Sequence, residues 1–242
     1  MSFTLFVLRI KKLIVVLGSI ELSFAFFRYG VMAGVEHRAV LNAELRTVVD
    51  IGANKGQFTL AARYWAPNAR VFAFEPLSEA ASVFTAIFRS DSSVLLSQVA
   101  IGPVVERAVM HLSAHQDSSS MLPIGQLQVD IFPGTQESGL REVNICPLAT
   151  LIDSEAIASP SMLKIDVQGF EVQVLKGCES LLPNFNFVYC ECSFVELYSG
   201  QKLAHNVVDW LRLHRFELVG IYNATYDYLG QAIQADFLFK RS

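Results

Sequence analysis

From residue 47 onward the chain alternates short, nearly unbroken apolar runs with segments whose apolar positions recur at helical spacing. This is the pattern of a parallel sheet covered by helices on both faces. Residues 47–51 predict a first strand and 57–64 its helix, ended by Pro67. Residues 70–74 predict a second strand, then Glu75-Pro76, then a helix that Ser78 can cap, with Ala81, Phe84, Ala86 and Phe88 among its small and apolar positions. Residues 94–101 predict a third strand. The rhythm breaks over 103–147, where strands at 106–113 and 142–145 flank a polar span around Asp117, Ser118, Ser119 and Ser120, which reads as a β-ribbon insertion. It resumes with a strand at 162–165, a helix at 170–182, a strand at 187–192 and a helix at 204–214. Residues 216–222 and 235–239, separated by the turn-prone 223–231, close the sheet as an antiparallel pair.

Two stretches place an aspartate where such a strand ends, with glycine nearby and a helix to follow: Asp50-Ile51-Gly52-Ala53-Asn54-Lys55-Gly56 and Leu163-Lys164-Ile165-Asp166-Val167-Gln168-Gly169. Open α/β sheets bind ligands at that carboxyl edge. Gly52 and Gly56 bracket a tight turn that lets backbone approach a ligand, and Glu75, at the end of the second strand, can accept hydrogen bonds from both hydroxyls of a ribose. The pairing predicts an adenosine-type ligand. The G-x-G-x-x-G spacing that seats a pyrophosphate is absent, and Asp50 puts negative charge where a diphosphate would lie, so a cation such as the amino group of a methionine moiety suits the site better. Turn formation or helix capping is the plain alternative for Asp50 and Glu75.

Composition narrows the reading. At 242 residues and 52% apolar, the chain can bury one large core, and no Pro/Gly/Ser-rich linker divides it. A net charge of -4 without a long Lys/Arg run argues against a nucleic-acid partner. Cys146, Cys178, Cys190 and Cys192 show no C-x-x-C spacing and read as buried thiols in a reducing, cytoplasmic setting. Arg9, Lys11 and Lys12 precede an apolar run at 13–20 and an aromatic-rich one at 22–27, a layout that resembles an anchor. Glu21 interrupts it, and a spanning helix wants about 20 unbroken apolar residues. Residues 1–46 therefore read as a helical extension packed on a catalytic domain at 47–242 or on a partner subunit. The alternative is membrane contact through this segment, peripheral to the inner face. A homo-oligomer is the expected assembly.

VVDIGANKGQF, FAFEP, the DSSSML span, LKIDVQGFEVQVLKG, YCECSFVELYSGQ and the closing QADFLF, in this order, resemble the FkbM-type S-adenosylmethionine-dependent methyltransferases over about residues 30–242. The first motif is shared by most methyltransferases of this fold, and LKIDVQGFE is far more specific to the family. The resemblance implies a Rossmann-like class I fold: a mostly parallel seven-stranded sheet with an antiparallel last strand, helices on both faces, and the ribbon inserted after the third strand. It implies S-adenosyl-L-methionine as cofactor, with Gly52, Ala53, Asn54 and Gly56 around its methionine end, Glu75 and Pro76 at its ribose, and Gln98 and Val99 beside its adenine. It also implies a hydroxyl acceptor on a carbohydrate or other secondary metabolite.

Methyl transfer to an alcohol is an in-line displacement, helped by a base or a metal that takes up the hydroxyl proton. Asp166, at the end of the fourth long strand, is the first candidate, and Glu191, ending the fifth, points into the same crevice. The pair could bind a divalent cation such as Mg through oxygen ligands, or one member could act as base; sequence leaves both open. Asp166 and Glu171 could instead be structural, bonding Lys164 or the next helix. Ser119 and Ser120 are candidate acceptor-binding hydroxyls, with an ordinary turn as the plain alternative. His111 and His115 lie in the insertion without a nameable partner, and His205 and His214 read as solvated. The rival functions are an NAD-dependent oxidoreductase, disfavoured by the missing pyrophosphate fingerprint, and a non-enzymatic membrane-associated module.

Overall fold

The computed structural model describes residues 15, 16 and 18–242; Arg9, Lys11 and Lys12, with Leu13, Ile14 and Leu17, lie outside it. Seven strands, one of them reversed, form the main sheet. β1 (Thr47–Ile51) lies inside it, with β2 (Arg70–Phe74) and β3 (Val94–Ser97) to one side, and β7 (Ser161–Ile165), β8 (Phe187–Ser193), β10 (Ala232–Arg241) and β9 (Phe216–Tyr226) to the other. β10 runs against the direction of the other six, antiparallel to both β8 and β9. Every residue of β1 and β7 is buried, as strands covered on both faces require.

Alternate residues of the central strands feed two cores. Val49, Ile51, Leu163, Ile165 and Val188 point to the side covered by α5 (Glu171–Cys178) and α6 (Ala204–Leu213), contributing with Val174, Leu175, Val207 and Leu211. Val48, Met162 and Tyr189 point to the other side, against Phe58, Leu60 and Ala61 of α2 (Gln57–Trp65) and Phe84 of α3 (Ser78–Phe88). Leu22 and Ala25 of α1 (Ile20–Tyr29) join this second core. The helix starts on Ser19, whose hydroxyl accepts from the Leu22 amide at 3.4 Å, and stops at left-handed Gly30. Among the described residues no helix is long and apolar enough to cross a membrane. All four cysteines are free and buried.

Three expectations change. The third strand breaks after Ser97, and the chain resumes at β4 (Ala100–Ile101) in a different sheet, parallel to β6 (Glu137–Cys146). β6 also pairs with β5 (Glu106–Ser113), so the insertion is a three-stranded sheet rather than a two-stranded ribbon, and it carries a short helix, α4 (Gln126–Ile131), that the sequence pattern did not disclose. Ser78 does not cap α3: Leu77 takes that position, and its amide is satisfied by Glu75 Oε1 at 2.8 Å.

Candidate active site

A cavity of about 360 Å³ opens at the carboxyl ends of β1, β2 and β7. Gly52, with φ +75°, roofs its floor: a β-carbon there would lie 1.8 Å from the Asp166 carbonyl oxygen, so only glycine lets the β1–α2 turn cross the end of β7. Gly56, φ +98°, begins α2, and a β-carbon would meet the Phe88 ring at 2.6 Å. Gly52, Ala53 and Asn54 line the cavity, whereas Gly56 shapes the turn from outside the wall. Glu75, 6% exposed, also lines it; its Oε2 accepts the Asn54 amide at 3.0 Å. Burial raises the Glu75 pKa, and each carboxylate oxygen keeps acceptor capacity for a ribose hydroxyl. Pro76 and Val99 complete this end. Gln98 is not in the wall; its amide lies 3.4 Å from the Pro76 carbonyl at the surface, so the expected adenine contact reduces to Val99.

Asp50 departs most from expectation. It is 0% exposed and lies beneath the cavity rather than in its wall, so a direct contact with a ligand's amino group is excluded by burial. Thr59 donates to its Oδ2 at 2.7 Å, and Lys164 Nζ stands 3.1 Å from Oδ1, a charge contact too bent for an aligned hydrogen bond. Lys164 also donates to the Gly52 carbonyl at 3.0 Å and lies 3.7 Å from Asp166 Oδ2. Burial opposes the ammonium charge, but Asp50 and Asp166 outweigh it and raise the Lys164 pKa. One buried cation thus ties β1, its glycine turn and β7 together.

Asp166 and Glu191 converge, joined by a residue the sequence reading passed over. Gln168 Nε2 donates to Asp166 Oδ1 and to Glu191 Oε2, both at 2.8 Å, while Tyr198 donates to Gln168 Oε1 at 2.8 Å. Gln234 donates to Glu191 Oε1 at 2.8 Å. Burial, then Asp166 and Asp236, push Glu191 well above the usual carboxylate range. An amide donor between the two carboxylates is the opposite of the open oxygen cage a divalent cation needs, and no cluster of three or more His, Cys, Asp or Glu able to hold a metal exists among the described residues.

Asp166, 39% exposed at its side chain, lines the first cavity and also a second of about 540 Å³, shared through Asp117 and Gln168. The second is walled by Glu191 and Gln234 from the sheet and by His115, Ser118, Gln128, Phe132 and Thr135 from the insertion. Gln128 is buried, and its Oε1 has no hydrogen-bond partner among the described residues. Ser119 lines the first cavity, its hydroxyl accepting the Ser113 amide at 3.1 Å. Ser120 lines neither: fully buried, it donates to the Gln168 carbonyl at 2.6 Å and fastens the insertion to the loop after β7, which replaces its expected acceptor contact.

Gln168, Gln128 and His37 were missed, and Lys164 was named only as a partner for Asp166 or Glu171, without its contact to Asp50. A lysine inside an apolar strand is itself a signal, because such a charge needs a buried partner. His37 carries none, since it sits in the irregular 3-10 turn Val35–Ala39. Its ring nonetheless lines the first cavity, with Nδ1 3.0 Å from the Tyr189 hydroxyl. Of the other histidines, His111 contacts Glu137 at 2.6 Å and His214 contacts Glu179 at 3.1 Å, both away from either cavity.

Comparison with known proteins agrees with this layout. The Methyltransferase FkbM domain profile matches residues 50–218, well over half of the chain. The 2-O-methyltransferase NoeI of Sinorhizobium fredii is 28% identical over 178 residues, covering 71% of this chain and 72% of its own. Among solved structures, an uncharacterized protein from Listeria monocytogenes superposes with a TM-score of 0.50 at 7% identity, over 86% of this chain and 66% of that one. Streptococcus pneumoniae Sp1610, solved with S-adenosyl-L-methionine, gives 0.49 at 9% identity, over 86% and 71%. The first of these structural likenesses speaks to fold alone. The profile match, the strand order and the glycine turn under an acidic strand end together make this chain a member of the FkbM methyltransferase family, an S-adenosylmethionine-dependent enzyme.

Proposed function

We propose that the protein methylates a hydroxyl oxygen of a carbohydrate or related secondary metabolite, with the cofactor in the first cavity and the acceptor in the second. The observation that carries this is the orphaned Gln128 Oε1: a buried amide oxygen without a donor, in a cavity that opens onto Asp166, calls for a ligand bearing hydroxyl or amine hydrogens. His115, Thr135 and Gln234 add polar groups and Phe132 an apolar face, a mixture that suits a polyol ring. The 2-O-methyltransferase NoeI supports oxygen as the target atom.

The first cavity fits the cofactor by its chemistry. Gly52 leaves room where any side chain would clash, Glu75 offers free acceptor capacity, and the surrounding carboxylates favour a cation over a diphosphate. When bound, S-adenosylmethionine supplies a methyl group activated by a sulfonium. The residues of this chain supply orientation and a proton acceptor. Asp166, shared by both cavities, takes the hydrogen bond of the acceptor hydroxyl and receives its proton as the oxygen attacks. Gln168 fixes the Asp166 carboxylate through one oxygen and leaves the other facing Lys164. Glu191, its pKa raised and both oxygens already accepting from amides, positions rather than deprotonates. The described part of the extension before residue 47 packs on the domain at 47–242 through Leu22, Ala25, Leu41 and Leu45, and this reading sets the enzyme in the cytoplasm.

The test is transfer of isotope-labelled methyl from S-adenosylmethionine to a panel of methyl glycosides, read by mass spectrometry. One labelled methyl per acceptor is expected, and Asp166→Asn should lower kcat by about 10²–10⁴ while leaving S-adenosylhomocysteine affinity within a few-fold. Unchanged turnover in Asp166→Asn would remove Asp166 as the base.

A further inference from the structure

His37 lies upstream of the matched residues 50–218, yet it stands in the wall of the first cavity with Gly52, Gln57 and Asp166. Its protonation pattern follows from its partners. The Tyr189 hydroxyl has one proton, which it gives to Asp236 Oδ2 at 2.8 Å; Asn223 donates to the same oxygen at 2.7 Å. The Tyr189 oxygen, 3.0 Å from His37 Nδ1, is therefore an acceptor, so the imidazole proton sits on Nδ1 and Nε2 keeps its lone pair. Nε2 has no hydrogen-bond partner among the described residues.

The charged and titratable groups facing the ring are Glu36 on its own turn, Lys164 on β7, Asp166 after it, Tyr189 on β8 and Asp236 on β10, while α2 brings the Phe58 ring to 5.1 Å between centroids. Burial lowers the imidazole pKa against the pull of Asp236 and Glu36. Carboxylates dominate the charge here, and the acceptors at the end of β1, Asp50 and the Gly52 carbonyl, are both engaged by Lys164.

The geometry points to His37 Nε2 as the acceptor that holds the α-ammonium group of the cofactor's methionine moiety, the task the sequence assigned to Asp50. Asp236 and Tyr189 are positioning residues that fix the tautomer. The inference rests on S-adenosylmethionine occupying the first cavity.

Calorimetry with two ligands tests it: S-adenosylhomocysteine, which carries the α-ammonium group, and 5′-methylthioadenosine, which ends at the thioether and lacks it. His37→Asn keeps a donor toward Tyr189 but has nothing at the Nε2 position. It should bind S-adenosylhomocysteine about tenfold more weakly and 5′-methylthioadenosine unchanged, and His37→Gln, whose amide reaches further, should recover part of the loss. In the parent, acidification that protonates His37 should weaken S-adenosylhomocysteine and spare 5′-methylthioadenosine, and His37→Asn should abolish that difference. Equal losses for both ligands in His37→Asn, or none for S-adenosylhomocysteine, would overturn the assignment. A parent protein that bound neither ligand would bring down the placement of the cofactor itself.

Discussion

Glu171 shows what burial does to one side chain. It is fully enclosed at the start of α5, accepts the Gly169 amide at 2.7 Å, and burial pushes its pKa from 4.5 to about 7. A carboxyl whose pKa is higher folded than unfolded binds a proton more tightly in the native state. Its contribution to stability is whole below about pH 4.5 and is lost as pH rises through about 7. Glu171→Gln should therefore match the parent near pH 4 and exceed it above pH 7, by on the order of 1–3 kcal/mol, measured by thermal unfolding across that range. A variant less stable than the parent at pH 8 would mean that the charged bond to Gly169 dominates. At this scale sequence was a partial guide. Glu75 and Asp166 stand where their strand ends placed them, because strand termination and a following turn are local. Asp50 occupies its strand end too, but its partner Lys164 comes from β7, 112 residues away from the shared Gly52 carbonyl, and no local pattern reveals that a carboxylate is already spoken for.

Elements were legible wherever periodicity was strong. β1 and β2 coincide with their expected bounds, since buried parallel strands read as continuous apolar runs; β5 also coincides, as a half-exposed antiparallel strand. The third strand did not, because 94–101 is apolar on both sides of Ser97-Gln98 while the strand partner changes from β2 before that pair to β6 after it. α4 escaped notice because six residues hold too little periodicity to register. The second sheet is locked to the first by α5, where Gly177 meets the Gly102 backbone: a β-carbon there would stand 2.4 Å from the Gly102 carbonyl oxygen. Glycine to alanine inside a helix ordinarily stabilises by about 0.5–1 kcal/mol. Here the contact is with backbone that cannot swing aside, so Gly177→Ala should destabilise, by roughly 1–3 kcal/mol, in a urea titration; stabilisation would show that the α5 contact with Gly102 is loose.

For the molecule as a whole, the acidic rim formed by Asp166, Glu75 and Glu36 faces one cavity in a chain of net charge -4. Ligand binding to the folded state alone raises its stability by mass action. S-adenosylhomocysteine at a hundred times its Kd should add about 2.7 kcal/mol, which for a domain of this size corresponds to a Tm rise of roughly 5–10 °C. NADH should give none, and a rise with NADH but not the thioether would contradict the cofactor assignment. What sequence could not disclose at this scale is the division into two cavities, because it depends on the insertion folding back over the sheet. Ser120 to Gln168 is the clasp that sets it, and Gln128 and Thr135 reach the second cavity only through α4 and its following turn.

The cysteines carry a practical consequence. Cys146 closes the inserted sheet, Cys178 ends α5, and Cys190 and Cys192 occupy the central β8, and none is accessible. Burial also holds the Cys178, Cys190 and Cys192 thiols above their ordinary range, which starves them of the reactive thiolate. A thiol-alkylating dye added to the native protein therefore has to wait for the chain to breathe. The order in which peptides bearing these sulfurs become tagged would chart which layer opens first, without a single engineered label.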